Sequence, residues 1–229
     1  MENHKLTTEQ ISQIEKILIS NGLIFEDLKL ELTDHIASEI EVLMPEKELD
    51  FEIALKITFE NWKGELQPKS GFFWVSPNVT APKIVMKQWE KNARKIIFQS
   101  LTISFFIVFL LWVFKLNNQE QLIYNNFNSV KQFLCYTLFS TFIIAFLWIK
   151  TTRIKTSYSY MFSRYFILIP LSMVPIFLND FRFKRFEFSD FGKVLVLFYS
   201  IAIIIFGFLI LQMAFKHFKF ISSFSKAKL

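Results

Sequence analysis

Glu31, His35 and Glu39 recur every four residues, so on a helix they form one stripe. Two carboxylates and an imidazole are a donor set for a divalent cation, and equally an exposed row of solvated charge. No second cluster of ligating side chains accompanies them. His4 lies near the start of the chain, and His217 sits among Lys216 and Lys219, whose charge opposes a metal ion. The one cysteine, Cys135, falls in a hydrophobic block and has no partner for an internal disulfide. There is no HExxH helix and no GxSxG turn, and five glycines in all leave no glycine-rich phosphate loop. The hydrophobic segments offer hydroxyls such as Ser100, Ser104, Thr141 and Ser200, which usually bond backbone or a neighbouring helix. The ionisable groups that ion or proton transport needs are not expected inside them. These residue types point to a non-enzymatic protein without cofactor or metal.

The stripe belongs to the second of three amphipathic helices that the first 66 residues predict. Thr7 and Gln10 have capping-box spacing ahead of Ile11, Ile14, Ile17 and Leu18, and Asn21-Gly22 supplies a stop. A second helix over residues 25–44 carries Leu28, Leu32, Ile36, Ile40 and Leu43 on one face, with Pro45 after its end. Asp50 caps a third, which bears Phe51, Ala54, Leu55, Phe59 and Trp62 and closes at Gly64. Such a segment is small for independent stability and gains from docking on something else. Residues 67–82 read as a linker broken by Pro68, Gly71, Pro77 and Pro82. The aromatic run Phe72, Phe73 and Trp74 inside it suits either the lipid headgroups or the underside of the helical domain.

From residue 83 the chain reads as a membrane domain. Of its 229 residues, 52% are hydrophobic, and nearly all of the excess lies after residue 95. Spans are expected at about 96–114, 133–149, 158–178 and 194–215, each near the length a helix needs to cross the hydrocarbon. The third is the shortest in apolar content, holds Pro170 and Pro175, and includes Arg164 near its start. It is either a kinked span, with Arg164 snorkelling to the interface, or a re-entrant segment. The fold class predicted is all-α: a small three-helix domain, residues 1–66, followed by a four-helix transmembrane bundle.

The net charge of +6 hides a split. Residues 1–66 hold about 15 acidic and 6 basic side chains, whereas the rest holds about 5 and 20. An acidic soluble part is repelled by phosphate, so direct nucleic-acid binding is not expected. The basic residues flank the hydrophobic blocks: Lys87, Lys91, Arg94 and Lys95 before the first, Arg164 at the third, Lys216 and Lys219 after the last. With both termini in the cytosol the inner flanks carry about 13 lysines and arginines and the outer loops about 6, the positive-inside bias. The second outer loop, 181–191, alternates phenylalanines with charges, as an interfacial segment or an external binding surface would. MENHKLTTEQ lacks a basic start and apolar core, so the first domain is expected to stay in the cytosol.

The second helix carries the most recognisable motif. Asp27-Leu28-Lys29-Leu30-Glu31-Leu32-Thr33-Asp34-His35-Ile36, then Ile40-Glu41, resembles the HAAS signalling-domain pattern of membrane proteins from Bacteroidetes-type bacteria. Leu6 to Ile11 and Phe51 to Ala54 suit the same pattern, and the resemblance covers about residues 6–66. After Ala54 the chain departs from it, with Lys56 to Trp62 where the family has small residues and glycine. The resemblance implies a multi-pass protein of the bacterial inner membrane that signals through its cytosolic domain, often beside a PadR-like regulator. It brings no catalytic residues. Glu31, Asp34, His35, Glu39 and Glu41 are the expected surface for a basic cytosolic partner, reached by complementary charge.

Overall fold

The computed structural model describes residues 5–71, 79–116, 120–179 and 191–227. Seven helices follow one another among them: α1 (Thr8–Ser20), α2 (Glu26–Lys47), α3 (Phe51–Leu66), α4 (Lys83–Leu116), α5 (Glu120–Thr151), α6 (Ser157–Asn179) and α7 (Phe191–Ala227).

The N-terminal helices start and stop for the reasons their sequences offer. Thr7 accepts from the Gln10 backbone at 3.3 Å, and the Gln10 side chain accepts from the Thr7 N–H at 2.8 Å, a complete capping box. Gly22 follows α1 with φ +86°, a conformation that costs glycine little. The Asp50 carboxylate caps α3 through the Ile53 N–H at 2.9 Å. Two ends differ from expectation. Pro45 lies inside α2, which runs on to Lys47 and ends at Glu48 in the left-handed region. A proline in the last turn removes only one backbone hydrogen bond, so the turn survives it. Gly64 likewise sits inside α3, which continues to Leu66.

The linker is not wholly irregular. Pro68–Ser70 (β1) and Thr80–Pro82 (β2) pair antiparallel, with Pro68 opposite Pro82 and Ser70 opposite Thr80. A two-stranded ribbon is all edge, so proline's missing N–H is tolerated there. Phe72, Phe73 and Trp74 lie outside the described residues, as do residues 181–190 of the second outer loop.

The chain divides into two compact units: Met1–Ala93 with Ile154–Ser157, and Arg94–Arg153 with Tyr158–Leu229. The first is larger than the three-helix segment of residues 1–66. Its core joins Ile14, Leu18, Leu28, Leu32, Ile36, Ile40, Ala54 and Leu55 to Val85, Met86, Trp89 and Ala93 from the first turns of α4. The stripe Val85/Met86–Trp89–Ala93 has helical spacing, and it supplies the apolar surface that three short helices lack.

In the second unit α5 packs on α7. The inward residues of α5 are Lys131, Cys135, Leu138, Phe142 and Ile149, a repeat of four and three. Gly207 of α7 faces Leu138 and Ile169, where an added Cβ would meet Leu138 at 3.5 Å, ordinary contact. Three helices among the described residues, not four, are long and apolar enough to cross a membrane: Lys83–Val113, Ser129–Thr151 and Val194–Lys226. These make the chain a membrane protein. The 158–178 segment does form a helix, α6, but it is not one of the three. Its first turns carry Ser157, Ser159, Ser163 and Arg164.

Candidate interaction face of α2 and its clasp

The buried side of α2 is Leu28, Leu32, Thr33, Ile36 and Ile40, which packs against α1 and α3. Glu31, Asp34 and His35 are therefore exposed, and they make no side-chain hydrogen bond or ion pair with any described residue. Glu39 and Glu41 behave differently. The Glu39 carboxylate accepts from the Trp62 indole N–H at 2.8 Å, which ties α2 to α3. The Glu41 carboxylate accepts from the Leu6 backbone N–H at 2.9 Å, which ties the segment before α1 to α2. One residue either side of Ile40 points about 100° away from it, so the two carboxylates brace the core from opposite flanks. Both are only half-buried. The five residues thus separate into an exposed set and a bracing pair. No group of three or more His, Cys, Asp or Glu side chains among the described residues is placed to hold a metal ion.

The start of α2 carries contacts that the sequence did not single out. Asp27 accepts from the Ser157 backbone N–H at 2.8 Å and from the Ser157 hydroxyl. The Glu26 N–H donates to the Lys155 carbonyl at 2.9 Å. Phe25 meets Trp89 edge to face, ring centroids 5.1 Å apart. Three consecutive residues therefore hold both the first turns of α4 and the chain leading into α6. Ser157 is the first residue of α6, where backbone N–H groups have no helical partner, and a carboxylate there also complements the helix dipole. Burial pushes the Asp27 carboxyl above its ordinary 3.8, and the Ser157 bonds only partly offset this. In the sequence Asp27 reads as an ordinary first-turn acid; nothing local marks a partner 130 residues away.

The basic residues expected at the membrane interface fall in both units. Lys87 pairs with Glu65 at 2.8 Å, and Lys83 reaches the same carboxylate at 3.2 Å. The Lys87 hydrogen bond chiefly holds the Glu65 carboxyl below its ordinary 4.5. Lys91, Arg94, Lys95 and Arg164 are exposed. A shallow groove of about 660 Å³ between α1 and α3 is lined by Ile17, Leu55 and Phe59. The Gln13–Glu52 hydrogen bond spans it, and Lys56 offsets Glu52, so it favours neither sign of charge.

Two polar side chains near the span ends are buried. Lys131 lies at the N-terminal end of the helical segment Ser129–Thr151, two residues before the expected span start at 133. His217 is also buried, with Nε2 3.1 Å from the Thr152 hydroxyl. That hydroxyl donates to the Ile149 carbonyl at 2.7 Å, so Nε2 is the donor to Thr152.

No family model, curated protein or solved structure matches the chain.

Proposed function

We propose that the chain is a non-enzymatic regulatory protein of the bacterial inner membrane, which relays to a basic cytosolic protein through the exposed acidic face of α2. The observation that carries this reading is Glu31 and Asp34 standing exposed and unengaged on a unit that also contains the head of α4 and the residues before α6. Carboxylates left free on a folded domain steer a cationic partner, and a PadR-like regulator of the kind the HAAS resemblance implies has that charge. The topology proposed has four spans, with α6 as the third, and both termini in the cytosol. It is supported by Ile154–Ser157 belonging to the same unit as α1–α3, because an even number of crossings between them leaves both on one side. The positive-inside bias assigns that side to the cytosol.

The test is a cross-linking pull-down of the full-length protein from its native membrane, beside a Glu31→Lys/Asp34→Lys double variant. Glu39 and Glu41 are left intact because they brace the fold. Recovery of a basic cytosolic protein by the wild type, lost in the variant, supports the relay. Equal recovery by both sinks it.

A second reading, a small permease or transporter subunit, is favoured by Lys131 alone. An ionisable side chain buried at the end of a candidate span is a functional candidate. Solute uptake that falls with Lys131→Met, but not with the double variant, would move this reading to first place.

A further inference from the structure

Asp27, Glu31 and Asp34 are spaced four and three residues apart, so the residue that clasps the head of α6 is also the first carboxylate of the exposed acidic stripe. Glu31 and Asp34 are open, whereas Asp27 is half-buried beneath Ile154–Ser157 and engaged twice by Ser157. We propose that Asp27 is a shared site: a cationic partner that lies along the whole stripe competes with Ser157 for it, so partner binding and the seating of the α6 head on α2 oppose one another. This deepens the relay reading above and rests on it, and it supplies the regulation of that same surface.

The chemistry of the clasp suits exchange. Ser157 offers Asp27 two neutral donors and no cation. The carboxylate stays partly desolvated, which is why its carboxyl is pushed up despite both bonds. A lysine or arginine side chain would satisfy the same oxygens with a charge-assisted bond, which is stronger than a neutral one. The exchange is local, because only Lys155 to Ser157 need withdraw while Leu28, Leu32 and Ile36 keep α2 seated in its core. By linkage the effect runs both ways. A membrane event that pulls on α6 uncovers Asp27 and completes the cationic site, and a bound partner frees the α6 head.

The test uses the full-length protein in phosphatidylcholine nanodiscs, with fluorescent decalysine as the probe. Ser157→Pro removes both donors, and proline is well accepted at the first position of a helix. Ser157→Ala removes only the hydroxyl and guards against a folding defect. Decalysine should bind the proline variant about fivefold or more tightly than wild type, with alanine between, the usual range for coupled sites. Amide hydrogen exchange in residues 152–158 of the wild type should rise when decalysine is added. Glu31→Lys/Asp34→Lys should weaken binding about tenfold. If that double variant weakens binding but neither Ser157 variant changes it, the competition is overturned and the acidic face stands. If the double variant too has no effect, the relay reading falls with it.

Discussion

The two units of this chain place their polar and apolar side chains in opposite ways. In the first, the core is aliphatic and aromatic, and the carboxylates lie outside or brace its edges. In the second, Phe98, Phe105, Phe133, Trp148 and Phe215 are exposed, while Ser100, Ser104, Lys131, Ser200 and His217 are buried. One solvent explains the first arrangement and another the second. Water rewards burying Trp89; hydrocarbon gives no gain for burying Phe105, so helices there meet through small and polar residues instead. α4 shows the change within one helix. Its stripe Val85–Met86–Trp89–Ala93 is inward and apolar, and two turns later Phe98 faces out and Ser100 faces in.

The sharpest test of that contrast pairs two aromatic deletions. Trp89→Ala should cost about 3–5 kcal/mol and melt the N-terminal unit early, whereas Phe105→Ala should leave thermal stability in nanodiscs nearly unchanged. Comparable losses from both would break the comparison. Next in size is charge insertion. Phe105→Arg should cost about 2.5–3.5 kcal/mol of membrane insertion, read by glycosylation mapping. Ile53→Lys, at a similarly exposed site in the first unit, should express and fold as wild type.

The clasp predicts a smaller effect with a defined pH dependence. Asp27→Ala leaves the Ser157 donors without an acceptor and should cost about 1–3 kcal/mol. Asp27→Asn keeps an acceptor and has no charge to desolvate. Because folding raises the Asp27 pKa above 3.8, the folded state binds its proton more readily than the unfolded one. The aspartate's contribution is therefore greatest below that value and falls as pH rises through the window above it. Stability of the asparagine variant relative to wild type should accordingly climb from pH 4 to pH 7 in thermal melts; a decline would contradict the burial argument. Glu65 has the opposite sign. Its stabilisation is present above 4.5 and lost as pH falls through its lowered pKa.

The smallest expected effect is a gain. The hydroxyls of Thr33 and Thr58 are buried without a hydrogen-bond partner among the described residues. Thr58→Val keeps the shape and removes the orphan, and should stabilise the unit by about 1 kcal/mol in denaturant melts.

Local signals carried the sequence reading well where the structure is local. Thr7 with Gln10, Asn21-Gly22 and Asp50 act within four residues of themselves, and their caps appear as expected. The hydrophobic blocks 96–114, 133–149 and 194–215 needed no partner to be read, because a bilayer demands only length and hydropathy. The exposure of Glu31, Asp34 and His35 was legible, since the core stripe beside them fixes which side of α2 is exposed. The hydrogen bonds of Glu39 and Glu41 were not, because their partners Trp62 and Leu6 lie 23 and 35 residues away.

The sequence by itself determined the helices, the apolar spans and the sign of the exposed face, because each follows from periodicity and composition over one or two turns. Only the tertiary structure decided that the head of α4 completes the N-terminal core, that Pro68–Ser70 pairs with Thr80–Pro82, and that Asp27 meets Ser157. Each of those depends on bringing distant segments together. The geometry of such closures is set by the packing of everything between them, and it leaves no mark in the residues that finally touch.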